Sequence, residues 1–120
     1  MIFDNELLDG LLEKAAQNER LRTNLDLRNS PDDESQRMLN ALMPGTVVPV
    51  HKHDDTSETI MVLRGRAEEI FYDAEGRETA RYLLDRDEGK YGIQVPAGQM
   101  HTIVPQVPTV IVEFKAGRYK

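Results

Sequence analysis

The sequence predicts an all-β sandwich or barrel with one small N-terminal helix. Three observations predict it. Apolar residues recur at the helical period only near the N-terminus. From about residue 36 onward the period changes to two. Gly, Pro and Asp clusters then cut the rest into about eight short strands in about eighty residues, too many and too short for an alternating strand–helix sheet. At 120 residues the chain has the size of one domain with a core of its own. Its 39% hydrophobic and 30% charged content is that of a globular protein.

Residues 4–20 read as the helix. Leu7, Leu8, Leu11, Leu12, Ala15 and Ala16 form one apolar stripe. Asp4 stands at the N-cap position, and Phe3 and Leu8 have the spacing of a hydrophobic staple. Gly10 weakens the helix but falls between the stripe residues. Residues 21–35 read as a polar connector, with turn chemistry at Asn29-Ser30-Pro31-Asp32.

Strands are expected over 36–43, 46–53, 58–64, 66–73, 77–84, 91–96, 100–104 and 109–115. Between Tyr72 and Glu78, "YDAEGRE" reads as a hairpin with Gly76 free to take positive φ. Ile60 to Leu63 and Val110 to Val112 are apolar on successive residues, so those strands need cover on both faces. The helix would cover one outer face and a second subunit another, so a homodimer is expected. Residues 1–35 would pack on a barrel of residues 36–120, all within one domain.

Several function classes are excluded. With no cysteines there are no disulfides, thiolate zinc sites or cysteine nucleophiles. The net charge of -6, with no run of Lys or Arg, opposes a nucleic-acid or anionic-membrane partner. The start, "MIFDNELLDG", lacks the basic and apolar regions of a signal peptide, and Ile60-Met61-Val62-Leu63 is far too short to span a bilayer. A cytoplasmic location is the expectation.

The chemistry concentrates around the 3 histidines. His51 and His53 would project from one face of a strand, with Lys52 pointing away. Asp54-Asp55-Thr56-Ser57 suits a tight turn, and Glu58 then opens the next strand. His101 follows the Pro96-Ala97-Gly98 turn. Three imidazoles and one carboxylate suit a single divalent first-row ion: Mn, Fe, Co, Ni or Zn. Four protein ligands leave a position open for a small-molecule ligand. Read singly, the paired histidines are more simply surface polar residues on an ordinary strand. Glu113 and Lys115 share a face with Ile111 and would serve as base and anion anchor if they faced inward; an exposed face is the simpler reading. Met38, Met43 and Met61 read as core fillers. Gln99, Tyr72 and Tyr82 have no assignable place.

The spacing Gly-x5-His-x-His-x4-Glu-x6-Gly over residues 45–65, followed by Pro-x-Gly-x2-His over 96–101, resembles the two motifs of the cupin superfamily. The first motif matches at every specified position. In the second, the expected glycine stands one position early at Gly89, and Pro105 replaces the expected asparagine. The stretches "LRTNL", "QRMLNALMPGT", "VLRGRAE", "VPAGQMHTIV" and "VIVEFKAGRY" are similar to the WbuC family of cupin-fold metalloproteins, over essentially the whole chain. That resemblance implies a jelly-roll-like antiparallel double-sheet barrel with His51, His53, Glu58 and His101 as metal ligands. It also implies that Arg22 and Asn24 lie near the barrel mouth, where the sequence alone reads them as a solvated linker. The family is named from a gene of O-antigen polysaccharide clusters, and its reaction is not established. The expected function is therefore a metal-dependent enzyme for a sugar derivative or small carboxylate, through isomerase- or epimerase-type or oxygen chemistry. The alternative is a non-catalytic metal-dependent binding or accessory protein.

Overall fold

The computed structural model describes residues 1–118. Helix α1 spans Asn5–Gln17, with the Asp4 carboxylate accepting from the Leu7 N–H at 3.0 Å as its N-cap. It ends three residues before the expected boundary. The Asn18 N–H donates to the Ala15 carbonyl, and Leu21 takes a φ of 57°, turning the chain into the first strand.

That strand is the first departure from expectation. Within the expected connector, Arg22–Asp26 forms β1, which pairs antiparallel with β2, Ser35–Leu42. Its alternation is real but mostly polar: Leu25 turns toward the helix, while Arg22 and Asn24 turn the other way. The remaining strands are β3 (Glu58–Arg64), β4 (Arg66–Tyr72), β5 (Glu78–Asp85), β6 (Gly92–Val95), β7 (Met100–Pro105) and β8 (Thr109–Ala116). The β4–β5 hairpin turns as expected, with Gly76 at φ 82°.

The strands form two antiparallel sheets, ordered β1-β2-β8-β3-β6 and β5-β4-β7. They do not close into the expected barrel. The reason lies in residues 46–53, expected as a strand. Pro49 has no N–H to give a ladder, and the segment makes one isolated bridge, His51 to His101, in place of a strand. The chain crosses between sheets at Gly65, where φ is 92° and a Cβ would come within 2.5 Å of the Pro108 carbonyl oxygen.

Alternation along β2 and β8 assigns the two faces of the large sheet. Leu39, Ala41, Val110 and Val112 pack with Leu8, Leu11 and Ala15 of α1. Leu42, Ile60, Val62 and Ile111 face the small sheet and meet Ala67, Leu84 and Ile103. Met38 and Met43 join the interior as expected, but Met61 is 42% exposed. It lies opposite Val112 on the outer face.

Candidate metal centre

Three separate pieces of chain deliver the site. The 43–57 loop brings His51 and His53, β3 opens with Glu58, and β7 carries His101. The His51 N–H donates to the His101 carbonyl at 3.0 Å and the His101 N–H returns to the His51 carbonyl at 2.9 Å, setting the two rings side by side. The Gly98 N–H donates to the His53 carbonyl at 2.7 Å and ties down the second loop histidine. The His51 Nδ1–H donates to the Pro49 carbonyl at 3.0 Å, which leaves its Nε2 lone pair free.

One ring nitrogen from each of His51, His53 and His101 lies within 4.8 Å of the others, a cluster that could hold a metal ion. Glu58 reaches the same place: its Oε2 is 3.5 Å from His53 Nε2 and its Oε1 is 3.9 Å from His101 Nε2. The structure thus brings together all four residues singled out by spacing. Behind His101 stands a residue the sequence reading missed. Glu69 of β4, fully buried, has a carboxyl oxygen 2.5 Å from His101 Nδ1. On the far side of the ring, His101 Nε2 is buried and has no hydrogen-bond partner among the described residues. A carboxylate behind an imidazole is the usual support for a metal-ligating histidine. The signal for Glu69 was the pair Glu68-Glu69 on one strand, which forces one of two carboxyls inward.

The electrostatics fit a cation. Burial, opposed by Glu58, holds His101 below the usual imidazole range; burial and then the Lys115 charge do the same for His53. Both are therefore neutral, the ligating form, near pH 7. Burial raises the Glu58 carboxyl and pushes Glu69 up to about 8. Glu113 is also pushed up to about 8, by burial first and then by the charges of Glu58 and Glu69. Three carboxyls in one desolvated region resist ionisation unless positive charge joins them.

A cavity of about 920 Å³ opens beside the cluster, between the loop and the inner face of the large sheet. Arg22 and Asn24 line it rather than forming a solvated linker, and Arg22 Nη1 donates to the Val47 carbonyl at 2.5 Å. Glu113 and Lys115 line it too, against the expectation of an exposed face. The physical reason is position. β8 runs between β2 and β3 in mid-sheet, and it is the Phe114 side that lies open, at 41% exposure. Asp54 and Asp55 sit at the rim, where Lys52 pairs with Asp54 at 3.2 Å. Gln99 and Tyr82 serve packing: the Gln99 amide donates to the Tyr72 and Met100 carbonyls, and Tyr82 stands edge-on to Phe71.

Residues 3–84 match the model of a domain family of unknown function, DUF6016. The chain belongs to the DUF6016 family. The match takes in His51, His53, Glu58 and Glu69 of this member and stops before His101. No curated protein matches the sequence. Among solved structures, this DUF6016 chain is similar to the capsular polysaccharide assembling protein CapF from Staphylococcus aureus, with a TM-score of 0.71 and 21% identity over 86% of this chain. It spans only 28% of CapF. It is also similar to TT1209 from Thermus thermophilus, at a TM-score of 0.69 and 21% identity over 98% of both chains. A cupin superfamily protein from Desulfitobacterium hafniense matches at a TM-score of 0.65 and 19% identity, over 82% of this chain and 80% of its own. These likenesses establish a cupin-like fold. Among the described residues, no helix is long and apolar enough to cross a membrane.

Proposed function

We propose that this DUF6016 member is a cupin-fold metalloprotein of the WbuC type. One divalent transition-metal ion would be held by His51, His53, Glu58 and His101. The buried Nε2 of His101 carries the reading, because a ring nitrogen left without a partner beside two other imidazoles and a carboxylate is costly unless a ligand meets it. When bound, the ion would supply Lewis acidity toward the oxygens of a small ligand. Glu69 would orient His101 through the Nδ1 hydrogen bond, and the loop and the large sheet would limit water around the ligand.

Glu113 favours an enzyme over a passive binder. It is an ionisable carboxyl on the cavity wall, pushed up to about 8, close to the range a general base needs near neutral pH. The reaction class it suits is proton transfer beside a carbonyl, as in isomerising or epimerising a sugar derivative. The likeness to CapF, a capsular polysaccharide assembling protein, supports a place in surface-polysaccharide chemistry by analogy of fold only. We also propose a homodimer through the outer sheet face, where Met61 and Phe114 are exposed.

The test is elemental analysis of protein purified without chelator, beside His51→Ala and His101→Ala. The expected result is about one transition-metal ion per wild-type chain and little in either variant. Equal, negligible metal in all three would overturn the proposal.

A further inference from the structure

One row of side chains crosses the inner face of the large sheet beside the histidines. Glu58 lies opposite Lys115 in the β3–β8 register, and Lys115 lies opposite Gln36 in the β8–β2 register. Such neighbours stand about 5 Å apart at Cβ, so the row is continuous. All three line the cavity. Two of the three have a polar atom or charge left unpaired among the described residues. Gln36 is 4% exposed, and its side-chain oxygen has no hydrogen-bond partner. Lys115 makes no hydrogen bond or ion pair among the described residues; its charge acts on His53 and Glu58 only through space. A buried amide oxygen calls for a donor, and a half-buried ammonium calls for an anion.

The rest of the wall narrows the chemistry. Asn24 and Asn40 add amides one ladder row apart from Glu113, with Asn24 directly opposite Asn40. No Phe or Tyr lines the cavity among the described residues, and its inner sheet wall offers amides and charges in their place. We infer that the Gln36–Lys115 row binds a polyhydroxylated oxyanion, such as a sugar acid or a sugar phosphate. The oxyanion sits on the Lys115 ammonium and a neighbouring hydroxyl donates to Gln36 Oε1. This deepens the proposed function and rests on its reading of the cavity as a ligand site.

The probes are D-gluconate, glucose 6-phosphate and the neutral polyol D-glucitol, titrated calorimetrically into the full chain. At least one anion should bind about tenfold more tightly than glucitol, the margin expected of a charge-assisted contact. The tighter of the two anions identifies the oxyanion as carboxylate or phosphate. Lys115→Met should abolish the preference without changing metal content, and Lys115→Arg should keep it. Gln36→Leu should weaken all three probes by about fivefold. Its folding is checked by circular dichroism, and the Lys115 pair carries the test if it fails to fold. Equal binding of glucitol and both anions, or a preference that survives Lys115→Met, would overturn the inference. His101→Ala separates the two claims. A wild type that carries no metal yet shows the anion preference, kept in His101→Ala, sustains the row and sinks the metal reading. A metal-loaded wild type with no preference does the reverse.

Discussion

The two faces of the five-stranded sheet are made by the same strands and do opposite work. On β2, Leu39 and Ala41 turn outward under α1, while Gln36 and Asn40 turn inward to the cavity. On β8, Val110 and Val112 meet the helix, and Glu113 and Lys115 face the site. Under α1 the outer face is apolar and closed, so it contributes stability through burial. The inner face carries unpartnered and displaced charges and an orphaned amide, so it gives up stability where a ligand would be held. A period of two lets one strand do both.

The largest expected effect belongs to the inner face. An ion present at about a thousand times its dissociation constant adds roughly 4 kcal/mol, or on the order of ten degrees in melting temperature. Scanning calorimetry with and without chelator should show that difference, and it should fade toward about pH 5 as protons compete for the imidazoles. An unmoved melting curve would erase the contrast between the faces. Next comes Leu39→Ala under the helix, where the side chain is fully buried. It should cost about 3 kcal/mol in urea melts with no change in metal content. Loss of metal there would show that the faces are not independent.

Glu113→Gln should produce a smaller effect that depends on pH. The folded chain holds the Glu113 proton up to about 8, whereas the ordinary value in the unfolded chain is near 4.5. Wild type therefore binds more protons when folded within that window, and loses stability as pH rises through it. The glutamine variant has no such loss. In chelator-treated protein its advantage should be small at pH 5 and grow steadily as pH rises toward about 8. A constant difference across that range would mean that Glu113 is not held protonated. The smallest expected effect is Met61→Asp on the exposed outer face of β3, within about 0.5 kcal/mol for the monomer. It should nonetheless halve the mass seen by light scattering if that face joins two copies.

How much was legible follows the same division. The helix stripe, the hairpin at Gly76 and most strands followed from local periodicity, and the ligand cluster from the spacing of His51, His53, Glu58 and His101. What escaped depended on neighbours distant in sequence. β1 is a strand because β2 lies beside it, not because Arg22 to Asp26 is a strong strand former. The 46–53 segment fails as a strand because Pro49 interrupts the donor row. Glu69, Gln36, Glu113 and Lys115 acquire their meaning only when the order of strands buries one of their two faces, and no window of residues contains that order.

The lone bridge between His51 and His101 has a kinetic consequence. It is two backbone hydrogen bonds, helped by Gly98 to His53 and by side-chain bonds from Arg22 to Val47 and Thr102 to Val48, and no ladder continues from it. Amides that rely on so few bonds open by local fluctuation, at a free energy well below that of global unfolding. The His51 amide should therefore exchange with deuterated solvent far sooner than those of β2 or β8. Two of the four candidate ligands ride on that segment without a ladder, while Glu58 and His101 stay on the sheets. An ion would thus be captured and released by the fraying of one loop, at a rate that the stability of the sheets does not set.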